Sequence, residues 1–217
     1  MTGAVVFDLD GTLIDSAPDI HGIANRLLAT EGVAPITLAQ TRDFIGNGAG
    51  VFVARMRAAR GIPDTEHARI LSAFIAAYRD AVHLTAPYPG VVAALTALAA
   101  AGWRLGLCTN KPMRPTHAVL AHLDLSRHFA AVFGGDSLPV HKPDPAPLLA
   151  TYDALGGIGP RVFVGDSDVD AETAQRAGIA FLLYTEGYRK VPVADLPHDG
   201  AFSDFGDLPA LVQRLAR

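Results

Sequence analysis

The 217-residue sequence predicts an α/β fold in which a parallel sheet is covered by helices and interrupted by one helical insert. Two observations predict it. Short apolar, β-rich runs alternate with longer runs of helical periodicity, as strand–helix–strand units require. Between the first and second of these strands, residues 16–88 carry helical patterns and no convincing strand, a stretch too long for a normal crossover. The chain thus divides into an α/β core, residues 1–15 and 89–217, and a helical insert, residues 16–88.

The strands expected in chain order are Ala4 to Phe7, Arg104 to Cys108, Ala131 to Phe133, Val162 to Val164 and Ala180 to Tyr184. Several are apolar throughout, as strands buried on both faces are. Helices are expected at Val91 to Ala101, Pro115 to Leu123, Ala146 to Leu155, Ala171 to Ala177 and Leu208 to Leu215, with Gly102 and Gly178 placed to end two of them. In the insert, Ser16 reads as a helix cap with Asp19 at the capping-box position. Ile20, Ile23, Leu27 and Leu28 follow at helical spacing, and Ile70, Leu71, Phe74 and Tyr78 mark the face of a second helix.

Composition narrows the function. Half of the residues are hydrophobic, and a formal charge of -4 provides no basic field for nucleic acid or an anionic membrane. Cys108 is the only cysteine, so no internal disulfide or multi-cysteine zinc site can form. The apolar run from Val91 to Ala101 is too short to span a bilayer, and no signal-peptide pattern opens the chain. A soluble, cytoplasmic protein is the expectation. The oligomeric state is not legible.

Four polar motifs fall at strand ends. Phe7-Asp8-Leu9-Asp10-Gly11-Thr12-Leu13 follows the first strand, and residues two apart on an extended chain point the same way. Two converging carboxylates repel unless a proton or cation intervenes, and a hard divalent cation with oxygen ligands suits them. Thr109, Asn110 and Lys111 end the second strand, at the edge where open α/β sheets bind ligands. Lys142-Pro143-Asp144-Pro145 follows the third, and a lysine there can hold a phosphate as a point charge. The fourth motif is Gly165-Asp166-Ser167-Asp168-Val169-Asp170. Its alternating acids imitate a calcium-binding EF-hand loop, but Ala171 and Ala177 stand where that loop needs Gly and Glu.

The order and chemistry of these motifs resemble the haloacid dehalogenase superfamily of phosphohydrolases, over nearly the whole chain. That resemblance implies a Rossmann-like three-layer parallel-sheet core with an inserted helical cap. Within the insert, Phe44-Ile45-Gly46-Asn47-Gly48-Ala49-Gly50 is similar to phosphoglycolate phosphatases, as is Pro197 to Phe205 near the end. The resemblance implies that Asp8 is the nucleophile and Asp10 the general acid and base. It implies that Thr109, Asn110 and Lys142 hold the phosphoryl group. Mg²⁺ would be bound by Asp8, the carbonyl of Asp10 and Asp166, with Asp170 supporting the metal shell or orienting Lys142. Arg42, Asn47 and Arg55 become candidates for reading the rest of the substrate.

Such a site would attack a phosphate monoester through an aspartyl-phosphate, with 2-phosphoglycolate the leading substrate. A hexose-phosphate mutase shares these motifs and stays open, as does a binding protein that has lost activity. A dehalogenase is disfavoured because that chemistry, in the related enzymes, lacks the second aspartate, and Asp10 is present. His117 and His122, five residues apart, do not share a helix face as a metal pair would. Cys108 reads as a small core residue.

Overall fold

The computed structural model describes residues 3–79, 81–157 and 159–216; residues 1, 2, 158 and 217 of the expected core and residue 80 of the expected insert lie outside these. In chain order the strands are β1 (Ala4–Phe7), β2 (Ile14–Asp15), β3 (Ala86–Pro87), β4 (Arg104–Cys108), β5 (Ala131–Phe133), β6 (Arg161–Gly165), β7 (Ala180–Tyr184) and β8 (Gly200–Phe202). The helices are α1 (Ala17–Thr30), α2 (Leu38–Phe44), α3 (Gly48–Ala58), α4 (His67–Tyr78), α5 (Val91–Ala100), α6 (Met113–His122), α7 (Ala146–Ala154), α8 (Asp168–Ala177) and α9 (Leu208–Leu215).

Six strands form one parallel sheet in the order β5-β4-β1-β6-β7-β8. The chain leaves β1 toward one edge and later returns to its other side, so the end of β1 is the crevice where such sheets bind ligands. Alternation along the strands builds three layers. Val5 and Phe7 join Leu95 of α5, Leu120 of α6 and Val212 of α9 in one core, while Ala4 and Val6 join Leu148 and Tyr152 of α7 and Ala174 of α8 in another. The five expected strands are present, Val162 to Val164 extended by one residue at each end. Gly178 ends α8 in the left-handed conformation, as expected, with φ of 65°.

Three features differ from expectation. β8 adds an edge strand where no strand pattern was legible. β3, at the end of the stretch expected to lack strands, pairs antiparallel with β2, so a two-stranded ribbon joins core to insert. Ser16 makes no capping bond to α1; its hydroxyl donates instead to Asp10 Oδ1 at 2.6 Å. Asp19 accepts from Leu84 N and Thr85 Oγ1, which also ties the two crossings of the junction together. The side chains compete for stronger partners than a helix end offers.

Helices α1 to α4 enclose a third core, built from Ile20, Ile23, Leu28, Phe52, Val53, Met56, Ile70, Phe74 and Tyr78. Helical periodicity thus buries what it was expected to bury, with Leu27 and Leu71 at the margin. One member comes from elsewhere: Tyr188, in the loop after β7.

Candidate active site

Asp8, Thr109, Lys142 and Asp166 all follow the carboxyl ends of strands, those of β1, β4, β5 and β6. Parallel strands with aligned register bring those ends to one edge. Buried lysine and carboxylates meet there. Lys142 Nζ lies 2.6 Å from Asp170 Oδ1 and 2.9 Å from Asp8 Oδ1, with its side chain 2% exposed. Burial works against its charge, but Asp170 and Asp8 outweigh burial and hold the ammonium above its ordinary value.

Asp170 sits in the first turn of α8, one helical turn beyond Asp166. Its Oδ2 accepts from the Ser167 hydroxyl at 2.6 Å, and the Ser167 side chain caps α8 in return. This capping box leaves Oδ1 aimed at Lys142. Asp166 is held from two sides, by the Thr12 hydroxyl at 2.7 Å and by the Tyr188 N–H at 2.6 Å. The approach is so close that a Cβ on Gly11 (φ 91°) or on Gly187 would overlap the Asp166 side chain. The Gly11-Thr12 pair in the first motif therefore serves the fourth motif.

Asp8, Asp166 and Asp170 each offer an oxygen within 4.8 Å of the others, all buried. Burial is the main force raising the Asp8 carboxyl to about 7, with Asp170 and Asp10 adding and Lys142 opposing. Burial, then Asp170 and Asp8, raises Asp166 well above the carboxylate range. Acids packed this closely are stable when ionised only if a cation joins them. The donor set, hard oxygens alone, fits Mg²⁺.

Asp10 turns away from this group. Its Oδ1 accepts from Ser16 Oγ and, at 3.1 Å, from Lys111 Nζ. Its side chain does not enter the acidic cluster, which leaves its backbone carbonyl as the expected metal donor. Lys111 had no role in the sequence reading. Its side chain is 3% exposed, and it also donates to the Tyr78 hydroxyl at the end of α4. The clue available was its place directly after Thr109-Asn110.

A cavity of ≈ 40 Å³ opens between sheet edge and insert, lined by Asp8, Asp10, Thr109, Asn110 and Lys111 below and Ile20, Phe52, Phe74 and Tyr78 above. Asn110 closes its side: Nδ2 donates to Gly46 O of the insert and to Lys142 O, both at 2.9 Å. Lys190 does the same from the loop after β7, donating to Ile45 O at 3.0 Å. The expected readers of substrate lie elsewhere. Arg42 pairs with Asp15 at 2.9 Å in the junction, and Arg55 donates to Asp43 O, Phe44 O and Asn47 Oδ1. None of Arg42, Asn47 and Arg55 lines the cavity: the Arg55 guanidinium is turned to carbonyls of the loop before α3 and to Asn47, and that of Arg42 to Asp15.

Fold and site together define an α/β enzyme with an acidic, lysine-bearing centre beneath helices. Residues 5–184 match the model of the haloacid dehalogenase-like hydrolases. The chain is 53% identical over 214 residues to a phosphoglycolate phosphatase of Cereibacter sphaeroides (strain ATCC 17029), covering 97% of this chain and 98% of that one. It is 43% identical to a phosphoglycolate phosphatase of Rhodobacter capsulatus, covering 98% of each. A crystal structure of a predicted phosphoglycolate phosphatase from Haemophilus somnus 129pt superposes with a TM-score of 0.89 at 32% identity over 98% of both chains. The chain belongs to the haloacid dehalogenase-like hydrolase family, as a phosphoric monoester hydrolase. Among the described residues, no helix is long and apolar enough to cross a membrane.

Proposed function

We propose that this phosphatase hydrolyses 2-phosphoglycolate by way of a phosphoryl group carried on Asp8, with Mg²⁺ as cofactor. The observation that carries the chemistry is Lys142 Nζ, 2.9 Å from Asp8 Oδ1 and buried with it. A carboxylate attacking a phosphate dianion meets charge repulsion, and a fixed ammonium beside the attacking oxygen offsets it. Asp8 and Asp166, with the Asp10 carbonyl, would hold Mg²⁺, which when bound neutralises further charge on the phosphoryl oxygens.

Asp8 forms a bond to phosphorus as the ester oxygen leaves, and Asp10 gives that oxygen its proton. Ser16 and Lys111 hold Asp10 at the cavity wall for this transfer. Asp10, now ionised, takes a proton from water as the water attacks the aspartyl-phosphate, which frees inorganic phosphate and restores Asp8. Thr109, which lines the cavity at the end of β4, would bind phosphoryl oxygens. Asp170 serves Lys142 more than the metal, because both its oxygens are already engaged.

The substrate rests on the names of relatives at 53% and 43% identity. The test is phosphate release from a panel holding 2-phosphoglycolate, glucose phosphates, a nucleotide and an aromatic phosphate, with Mg²⁺ and then with chelator. Chelator-sensitive release led by 2-phosphoglycolate is expected. A different leading ester would move the substrate and keep Asp8; phosphoryl transfer between glucose phosphates without release would make the chain a mutase.

A further inference from the structure

We infer that Lys111 is the residue that recognises the substrate's carboxylate, a role the sequence reading had given to arginines of the insert. The inference rests on the proposed substrate class and goes on to assign its reader. Lys111 is the one cationic side chain among the described residues lining the cavity. Its ammonium has three protons to donate. Two directions are taken, toward Asp10 Oδ1 at 3.1 Å and toward the Tyr78 hydroxyl, and the Tyr78 ring lies 4.2 Å beneath it. The second Asp10 oxygen, Oδ2, lies at 3.5 Å, so Asp10 and Tyr78 supply the acceptors recorded for this ammonium among the described residues.

Position supplies the rest. Asp10 is the group placed to protonate the ester oxygen, and in a phosphorylated 2-hydroxy acid one carbon separates that oxygen from the carboxylate. A cation touching Asp10 therefore stands where the carboxylate must lie. The opposite wall, Ile20, Phe52 and Phe74, offers no hydrogen bond to a charged group. An anion left there would lose its hydration without a partner. Tyr78 belongs to the insert, so the seating of the insert on the core aims Lys111.

The experiment compares kcat/KM for 2-phosphoglycolate and for ethyl phosphate, the same short ester without a carboxylate, in the presence of Mg²⁺. Any disturbance of Asp10 affects both substrates and cancels in their ratio. Lys111→Met should lower that ratio on the order of 10- to 100-fold, the range for a lost hydrogen bond to a charged group, mainly through KM. Lys111→Arg should recover part of it. Lys111→Gln, closer in polarity, repeats the measurement should methionine impair folding at this buried position. An unchanged ratio in a wild type that prefers the acid would overturn the role of Lys111 alone. A wild type with no preference for the acid would overturn the substrate reading before any variant is made.

Discussion

The backbone N–H of Tyr188 donates to Asp166 Oδ2 at 2.6 Å, and through its side chain Tyr188 binds the junction between core and insert. Its hydroxyl donates to Asp15 Oδ1 at 2.6 Å and accepts from Ala17 N at 3.0 Å, where α1 begins. One residue thus fixes an acid of the buried carboxylate cluster and the start of α1. Tyr188→Phe leaves the buried Ala17 N–H only its longer bond to Asp15 Oδ1 at 3.2 Å and removes the hydroxyl's bond to Asp15, a loss of about 0.5–1.5 kcal/mol. Urea denaturation should show the loss as a lower midpoint at constant slope. An unshifted midpoint would mean that Asp15, 3.2 Å from Ala17 N, takes over the bond.

Asp8→Asn should abolish turnover while binding survives, since the amide keeps the shape and hydrogen-bonding reach of the carboxylate but cannot displace an ester oxygen. Calorimetric binding of 2-phosphoglycolate alongside phosphate release measures both. Near-normal release would remove Asp8 as the nucleophile.

Asp170→Asn tests the orientation of Lys142. The ammonium would keep Asp8 but lose its closer partner at 2.6 Å. By comparison with other outer-layer carboxylates, turnover should fall about 10- to 100-fold, with circular dichroism unchanged. Full turnover would show that Asp8 and the protein walls suffice to hold Lys142.

Protonation of Asp8 predicts a pH effect with a definite sign. Burial lifts its carboxyl from 3.8 to about 7 in the metal-free protein. The folded state then holds a proton that the unfolded chain has released, so metal-free stability declines as pH rises from about 4 to about 7. A cation must displace that proton. Calorimetric titration of Mg²⁺ in buffers of different ionisation enthalpy should therefore show more proton release at about pH 6 than at about pH 8. Equal release at both would mean that Asp8 is already ionised without metal.

Asn110 is expected to act on closure. Its amide spans Gly46 of the insert and Lys142 of the core. Asn110→Ala removes both bonds and should speed amide hydrogen exchange in residues 45–50 while leaving β4 protected. Unchanged exchange in that segment would shift its hold to Lys190, which already binds Ile45 O.

Much of this was legible from local pattern. The apolar strands could be read because burial on both faces demands continuous hydrophobic runs, and the insert's core because helical spacing collects Ile20, Phe74 and Tyr78 on inner faces. The four motifs could be placed together because strands that run parallel must end on one edge. β8 and the β2–β3 ribbon could not, since three residues and two residues carry no periodicity and exist only through their pairing partners.

Partners were the harder matter. By itself the sequence determined the sheet, the helical insert and the set of acids and lysines delivered to the strand ends, all consequences of residue type at short spacing. Tertiary structure alone decided that Ser16 serves Asp10 rather than α1, that Arg42 is held by Asp15, and that Lys111 faces the cavity between Asp10 and Tyr78. Each of those choices is a competition among several polar groups for a few acceptors at the junction of core and insert. Its outcome depends on how the insert seats on the core, a distance relationship that no local spacing encodes.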